Sequence, residues 1–209
     1  MPFFNWNSGL DYKMKVAKYR HLNKYIAIAR ERDPGYIYRD ADTGEPAVNY
    51  TPSVQAREHL LEGTLQLSRL LYIQGAKEIH VSMPGFGPFV REGSTQLSEM
   101  EDIIDPKFLQ WLADLKAHGN RTPETPIGSA HQMGTCRMSA AERDGVVDPR
   151  GKVWGTEGLY VADASVFPSA SGVNPMVTVM AIADWIAMGI CKDLQAEGVV
   201  GSGASTARL

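Results

Sequence analysis

Three stretches toward the carboxyl end carry side chains that could do chemistry. The first, GSAHQMGTCRM at residues 128–138, sets His131 among small residues and follows it with a Gly-Thr turn. Small residues let the backbone pass close to a flat ligand, and histidine is the side chain most often used as a general base near neutral pH. A histidine in such a turn is equally an ordinary core or turn residue, so both roles stay open on this segment alone. The second stretch, GVVDPRGKVWGTEGLYVADASVFP, reads as two short strands around residues 152–154 and 159–162, joined by Thr156-Glu157-Gly158 and ending at Asp163. A carboxylate at a strand end either faces a cleft or caps the next turn. The third, SGVNPMVTVMAIADWIA, puts Asn174 at an N-cap and Pro175 at the first position of a nearly all-apolar helix. Asn-Pro opens many helices that have no other task. It also aims unpaired N–H groups and the positive end of the helix dipole at any electron-rich group placed before it.

These stretches need a scaffold. From Leu10, LDYKMKVAKYRHLNKY has loosely helical spacing, and YIAIARER alternates with the period of a half-buried strand. Asp33-Pro-Gly turns, residues 36–38 pair back, Asp42-Thr-Gly turns again, and residues 47–50 give a third strand of an antiparallel meander. Ser53 caps a long helix whose apolar positions (Val54, Leu60, Leu61, Leu65, Leu67, Leu70, Leu71) recur every three or four residues until Gly75. EIHVSM, residues 78–83, reads as one more strand, which makes a sheet with a helix laid on it, an α+β arrangement. Residues 84–105 show no period and read as a binding loop or a surface excursion. Pro106 opens a helix running to about Ala117, which Gly119-Asn120 ends, and the last nine residues, GSGASTARL, are small and polar enough to be flexible.

The 209 residues are 44% hydrophobic and 22% charged, enough to bury a core, and the formal net charge of −3 is spread over both signs. Such a chain has no field to gather nucleic acid or anionic lipid, which leaves a neutral or mixed small molecule as the expected partner. Cys136 and Cys191 lack metal-ligand spacing and suggest no disulfide framework, so a reducing, intracellular compartment is expected. The first residues have no secretory pattern, and the apolar run at residues 175–190, interrupted by Asp184 and Trp185, reads as a core helix with no membrane span.

Together, HQMGTCRM, the VVD…VWG…LYVADASVFP stretch and SGVNPMVTVMAIAD resemble, in order, spacing and identity, the carboxyl-terminal motif block of the glucose-methanol-choline (GMC) family of flavin oxidoreductases. Upstream, the strands, the long helix and IQGAKEIHVS are more loosely similar to that family's substrate-binding domain. Within the family, GSAHQMGTCRMS looks most like the long-chain (fatty) alcohol oxidases. The resemblance implies an α+β substrate-binding part at residues 1–127, a segment at 128–195 that returns to a Rossmann-like FAD domain, and a tail at 196–209. It implies that His131 is the active-site base with Asn174 as its partner, that Asp163 and Ala164 lie along FAD, and that Asn174, Pro175 and Met176 meet the pyrimidine edge of the flavin. The implied reaction is oxidation of a primary alcohol to an aldehyde with hydride transfer to flavin. A cyanohydrin lyase of the same fold and a non-catalytic fragment are the alternatives.

The family's GxGxxG turn, which cradles the FAD pyrophosphate, is not among these residues. A missing FAD-binding half or a partner chain is therefore expected, as is exposure of the apolar helix after Pro175 when the chain stands alone. The final Ala207-Arg208-Leu209 resembles the S-K-L peroxisomal address, a pattern short enough to arise by chance.

Overall fold

The structure, a computed structural model, describes residues 4–92 and 105–198. The chain forms two compact units, Met1–Ala29 with Pro52–Gly128 and Arg30–Thr51 with Ser129–Leu209.

In the first unit, α1 (Gly9–Ala17) begins where Ser8 Oγ accepts the Asp11 N–H at 3.1 Å, and a 3-10 turn, Tyr19–His21, follows it. The long expected helix is α2 (Val54–Ile73), capped by Ser53 Oγ at 3.0 Å from the Ala56 nitrogen. The helix α3 (Pro106–His118) has Pro106 in its first turn, and Asp105 accepts from the Lys107 and Phe108 N–H groups at 2.9 and 3.3 Å. Buried Leu65 and Tyr72 of α2 meet Phe108, Leu112 and Leu115 of α3 in one core. Tyr72 and Phe108 stack with centroids 4.1 Å apart, and Phe89 meets Phe108 edge-on at 5.0 Å. Each such ring buried contributes about 1.5–3 kcal/mol, and each favourable pair roughly 0.5–1.5 kcal/mol more.

The strand expected over residues 78–83 is short. Only β3 (Glu78–Ile79) pairs, antiparallel, with β4 (Phe89–Val90) in the register Glu78↔Val90 and Ile79↔Phe89. Val81 and Met83 still point into the core, but the Asn5 amide donates to the Met83 carbonyl at 2.7 Å and to the Val81 carbonyl at 3.4 Å, where a ladder partner would otherwise sit. The binding-loop expectation for residues 84–105 is therefore reduced by β4, and residues 93–104 lie outside the described residues.

In the second unit, β1 (Tyr36–Arg39) and β2 (Pro46–Asn49) form the expected hairpin, with Tyr36↔Asn49 through Arg39↔Pro46 in register. Asp40 organises its turn by accepting from the Thr43 and Asp42 N–H groups, and those bonds, Thr43 first, hold its carboxyl below the usual value. The strand expected at YIAIARER does not form. Ala27 and Ala29 are half-buried and Ile26 and Ile28 exposed, so the alternation is present, but residues 22–32 join no ladder, and the three-stranded meander is a two-stranded hairpin.

Past Gly128 the two strands expected near residues 152–154 and 159–162 are single bridges, Val147↔Val153 and Lys152↔Tyr160, with Val161 N–H bonded to the Gly151 carbonyl at 2.9 Å. Val147, Val166, Phe167 and Ile186 form the core here. Gly151 has φ 78°, and a Cβ there would fall 2.6 Å from Ile186 Cδ1, so this turn lies directly on α4 (Met176–Ala196), helped by an Arg150–Asp193 ion pair. Only the Ile186 side of α4 is covered. Met176, Val177, Met180 and Trp185 are 61–72% exposed, as expected for this helix alone and in contrast to the buried core helix read from its composition. Among the described residues no helix is long and apolar enough to cross a membrane. Of the tail expected at residues 196–209, Ala196 ends α4 and Glu197 caps it, while residues 199–209, with the Ala207–Leu209 signal, lie outside the described residues. Four helices with two small antiparallel pairs make the described fold α+β.

Candidate functional site

All the residues singled out in the sequence belong to the second unit. The histidine segment lies along the aspartate segment: Gly134 N–H donates to the Ala164 carbonyl at 3.2 Å, Cys136 to Ser165 at 2.9 Å and Met138 to Val166 at 2.8 Å. Three backbone bonds thus hold two motifs together that are some thirty residues apart in the chain. Asp163 caps the 3-10 turn Ala164–Val166, its Oδ1 accepting the Ser165 N–H at 2.7 Å. The Ser165 hydroxyl and then its N–H lower the Asp163 pKa against a smaller effect of burial, so this carboxylate stays ionised and is a poor candidate for proton transfer. Ala164 is half-buried beneath it.

His131 lies just ahead of the paired segment. Its N–H faces Ser129 Oγ at 3.4 Å, and Gln132 Nε2 donates to the Ser129 carbonyl at 3.1 Å, so the turn is fixed locally. The half-buried ring itself makes no hydrogen bond among the described residues, which leaves a ring nitrogen open to a ligand proton.

The third motif departs from expectation by one position. Pro175 is already helical at φ −87°, ψ −2°, and its carbonyl takes the first helical bond, from Val179 N–H at 2.8 Å. Pro175 is therefore the cap residue, Asn174 lies outside it, and no side chain caps α4. Proline has no side-chain acceptor, so the N–H groups of the first turn stay open. The exposed Asn174 amide makes no hydrogen bond among the described residues, beside a buried Pro175 and an exposed Met176. Further along α4, Val179, Ile182 and Ile186 share a core with the first two motifs through Val166 and Phe167, but among the described residues no hydrogen bond joins Asn174 to His131 or Asp163. Among the described residues this unit therefore offers an imidazole and an amide with no bonded partner and a helix start with no side-chain cap.

Arg30 was not anticipated. It donates from Nε to the Ala170 carbonyl at 2.9 Å and from Nη2 to Ser169 Oγ at 3.2 Å, in the turn that leads to Asn174. Its stretch read as a sheet strand, and nothing in the spacing ties it to a turn 140 residues further on.

Residues 31–183 match the carboxyl-terminal model described as GMC oxidoreductase. Long-chain-alcohol oxidase FAO3 of Arabidopsis thaliana is 34% identical over 190 residues, 90% of this chain and 24% of the relative. Long-chain-alcohol oxidase FAO4A of the same plant is 35% identical over 192 residues, 91% of this chain and 24% of the relative. An uncharacterized GMC-type oxidoreductase of Mycobacterium tuberculosis, Rv0492c, is 30% identical over 143 residues, covering 67% of this chain and 19% of the relative. The chain thus spans about a quarter of the length of its plant relatives. With its three carboxyl-terminal motifs folded into one unit, the chain belongs to the GMC oxidoreductase family.

Proposed function

We propose that this chain is the substrate-facing, carboxyl-terminal part of an FAD-dependent enzyme that oxidises the CH–OH group of a primary, long-chain alcohol to an aldehyde. The observation that carries this reading is the His131 ring, unbonded among the described residues, on a segment tied by three backbone bonds to the Asp163 turn. The plant relatives, long-chain-alcohol oxidases by name, suggest the alcohol class.

FAD fits the residues present. Among the described residues the start of α4 has no side-chain cap and the Asn174 amide no partner, and apolar Met176 and Val177 stand exposed beside them, which matches a flat ring with a polar edge. Asn174, Pro175 and Met176 would hold that edge, with Asp163 and Ala164 along the rest of the cofactor. When bound, FAD supplies the acceptor for a hydride.

His131 takes the hydroxyl proton at a ring nitrogen, which raises the tendency of the carbinol carbon to release hydride. General-base help of this kind contributes about 10²–10⁴-fold. The Asn174 amide donates to the oxygen as negative charge builds there, and the N–H groups of α4 favour negative charge at the cofactor edge. Asp163, ionised and engaged in its cap, has an orienting task only.

The pyrophosphate-binding GxGxxG turn is supplied by residues beyond these 209, in the same polypeptide or in a partner chain, and residues 128–195 return to that Rossmann-like domain. Relatives about four times as long support this division. Ala207-Arg208-Leu209 supports a peroxisomal address, tested by deleting the tripeptide from a tagged protein and following its location. The test of the catalytic reading is His131→Ala in a protein that carries the flavin-binding part. Turnover falls at least about 10²-fold with flavin content kept, and a fall below about threefold rejects His131 as the base.

A further inference from the structure

We propose that Arg30 is a positioning residue of this site, the clamp that fixes the Ser169–Gly172 turn and so sets where Asn174 and the open end of α4 stand. The inference rests on the reading of Asn174 given above.

The clamp is built from three contacts. The guanidinium donates to the Ala170 carbonyl at 2.9 Å and to Ser169 Oγ at 3.2 Å, two bonds in different directions from one planar group. The aliphatic stem lies across Gly172, where an added Cβ would sit 2.8 Å from Arg30 Cβ, 3.2 Å from Cγ and 3.3 Å from Cδ. Gly172 also has φ 71°, a conformation that costs a residue with a side chain. The turn continues through Ser171 Oγ, which donates to the Val173 carbonyl at 2.7 Å, so each residue from Ser169 to Val173 is engaged up to Asn174.

The residue next to Arg30 is held in turn. Glu31 accepts from the Arg32 and Asp33 N–H groups at 2.9 and 3.2 Å, and the Tyr50 hydroxyl, just past β2, donates to the other Glu31 oxygen at 3.3 Å. The end of the β1–β2 hairpin, residues 30–33 and the turn before Asn174 therefore form one connected path. A surface arginine without a task would need neither a glycine beneath its stem nor a second bonded partner.

The experiment compares wild type, Arg30→Ala, Arg30→Lys and Gly172→Ala. Cleavage within residues 169–174 by a non-specific protease is read in the 209-residue chain, and turnover, KM and flavin content in the protein with its flavin-binding part. In Arg30→Ala the turn is cut about three- to tenfold faster, the span of one or two lost hydrogen bonds, while the hydrogen-bonded stretch 134–138 is cut no faster. Arg30→Lys restores part of the resistance, and Gly172→Ala, which displaces the stem from the other side, reproduces the loss. Turnover at saturating alcohol falls about three- to thirtyfold in Arg30→Ala with KM and flavin content nearly unchanged. Unchanged cleavage within residues 169–174 overturns the proposal, as does full turnover in Arg30→Ala when Asn174→Ala lowers it. If Asn174→Ala leaves turnover intact, the reading of Asn174 fails, and the cleavage result alone decides whether Arg30 holds the turn.

Discussion

The α2–α3 core and the region around α4 bury apolar side chains in different ways. In the first, Phe108 and Leu115 are wholly buried, and Tyr72, Phe89 and Trp111 pack around them in stacked and edge-on pairs. Each helix there shows polar residues to solvent, so the core closes with the side chains at hand. In the second, α4 covers Val166 and Phe167 with Ile186, while Met176, Val177, Met180 and Trp185 face outward. A helix with large apolar side chains on opposite faces calls for a second layer. The difference separates a region that closes over its own aromatic core from one that leaves a large apolar face in solvent, and the proposed site residues are all in the unit that carries the latter.

Substitutions can break or sharpen this contrast. The largest effect is expected for Phe108→Ala, which empties the centre of the aromatic stack and costs about 3–5 kcal/mol in denaturant unfolding. Ile186→Ala, in the half-covered region, costs about 2–5 kcal/mol and belongs at the lower end, because an open neighbourhood relaxes more easily. A larger loss at Ile186 than at Phe108 would reverse the comparison. Ser53→Ala removes the cap from α2 and costs about 0.5–2 kcal/mol by the same measurement. Trp185→Gln on the exposed face of α4 changes the stability of the chain by less than about 0.5 kcal/mol and raises its solubility; a clear destabilisation would show that the face is already covered.

The smallest effect concerns pH. Lys18 and then His80 lower the Glu78 pKa, with the Lys18 contact at 2.5 Å. A depressed carboxylate stabilises the folded chain above its ordinary value of 4.5 and loses that contribution as pH falls below it. Glu78→Gln is expected to flatten the acid limb of the stability curve slightly, since the pair is partly exposed and screened by solvent.

Local signals survived folding where local physics decides the outcome. Ser53, Asp105-Pro106 and Asp42-Thr-Gly each carry their own hydrogen-bonding partner within a few residues, and each stands where the sequence put it. Strands were less legible, because a strand needs a neighbour. YIAIARER keeps its alternation without a ladder, and residues 80–83 lose theirs to the Asn5 amide, which arrives from more than seventy residues away. The same limit applies to the site. The Asp163 cap was readable from residue type, whereas the pairing of residues 134–138 with 164–166 and the reach of Arg30 depend on the tertiary fold. Asn174 shifted by one position because proline itself entered the helical region and took the cap.

The most direct test of the functional account is the colour of the flavin. In a protein that joins this chain to its flavin-binding part, adding a primary long-chain alcohol without oxygen is expected to bleach bound FAD, and His131→Ala is expected to slow that bleaching at least about 10²-fold. FAD that binds but stays yellow in the presence of alcohol would contradict the account and favour a lyase of the same fold, and a purified protein that retains no FAD would contradict it outright.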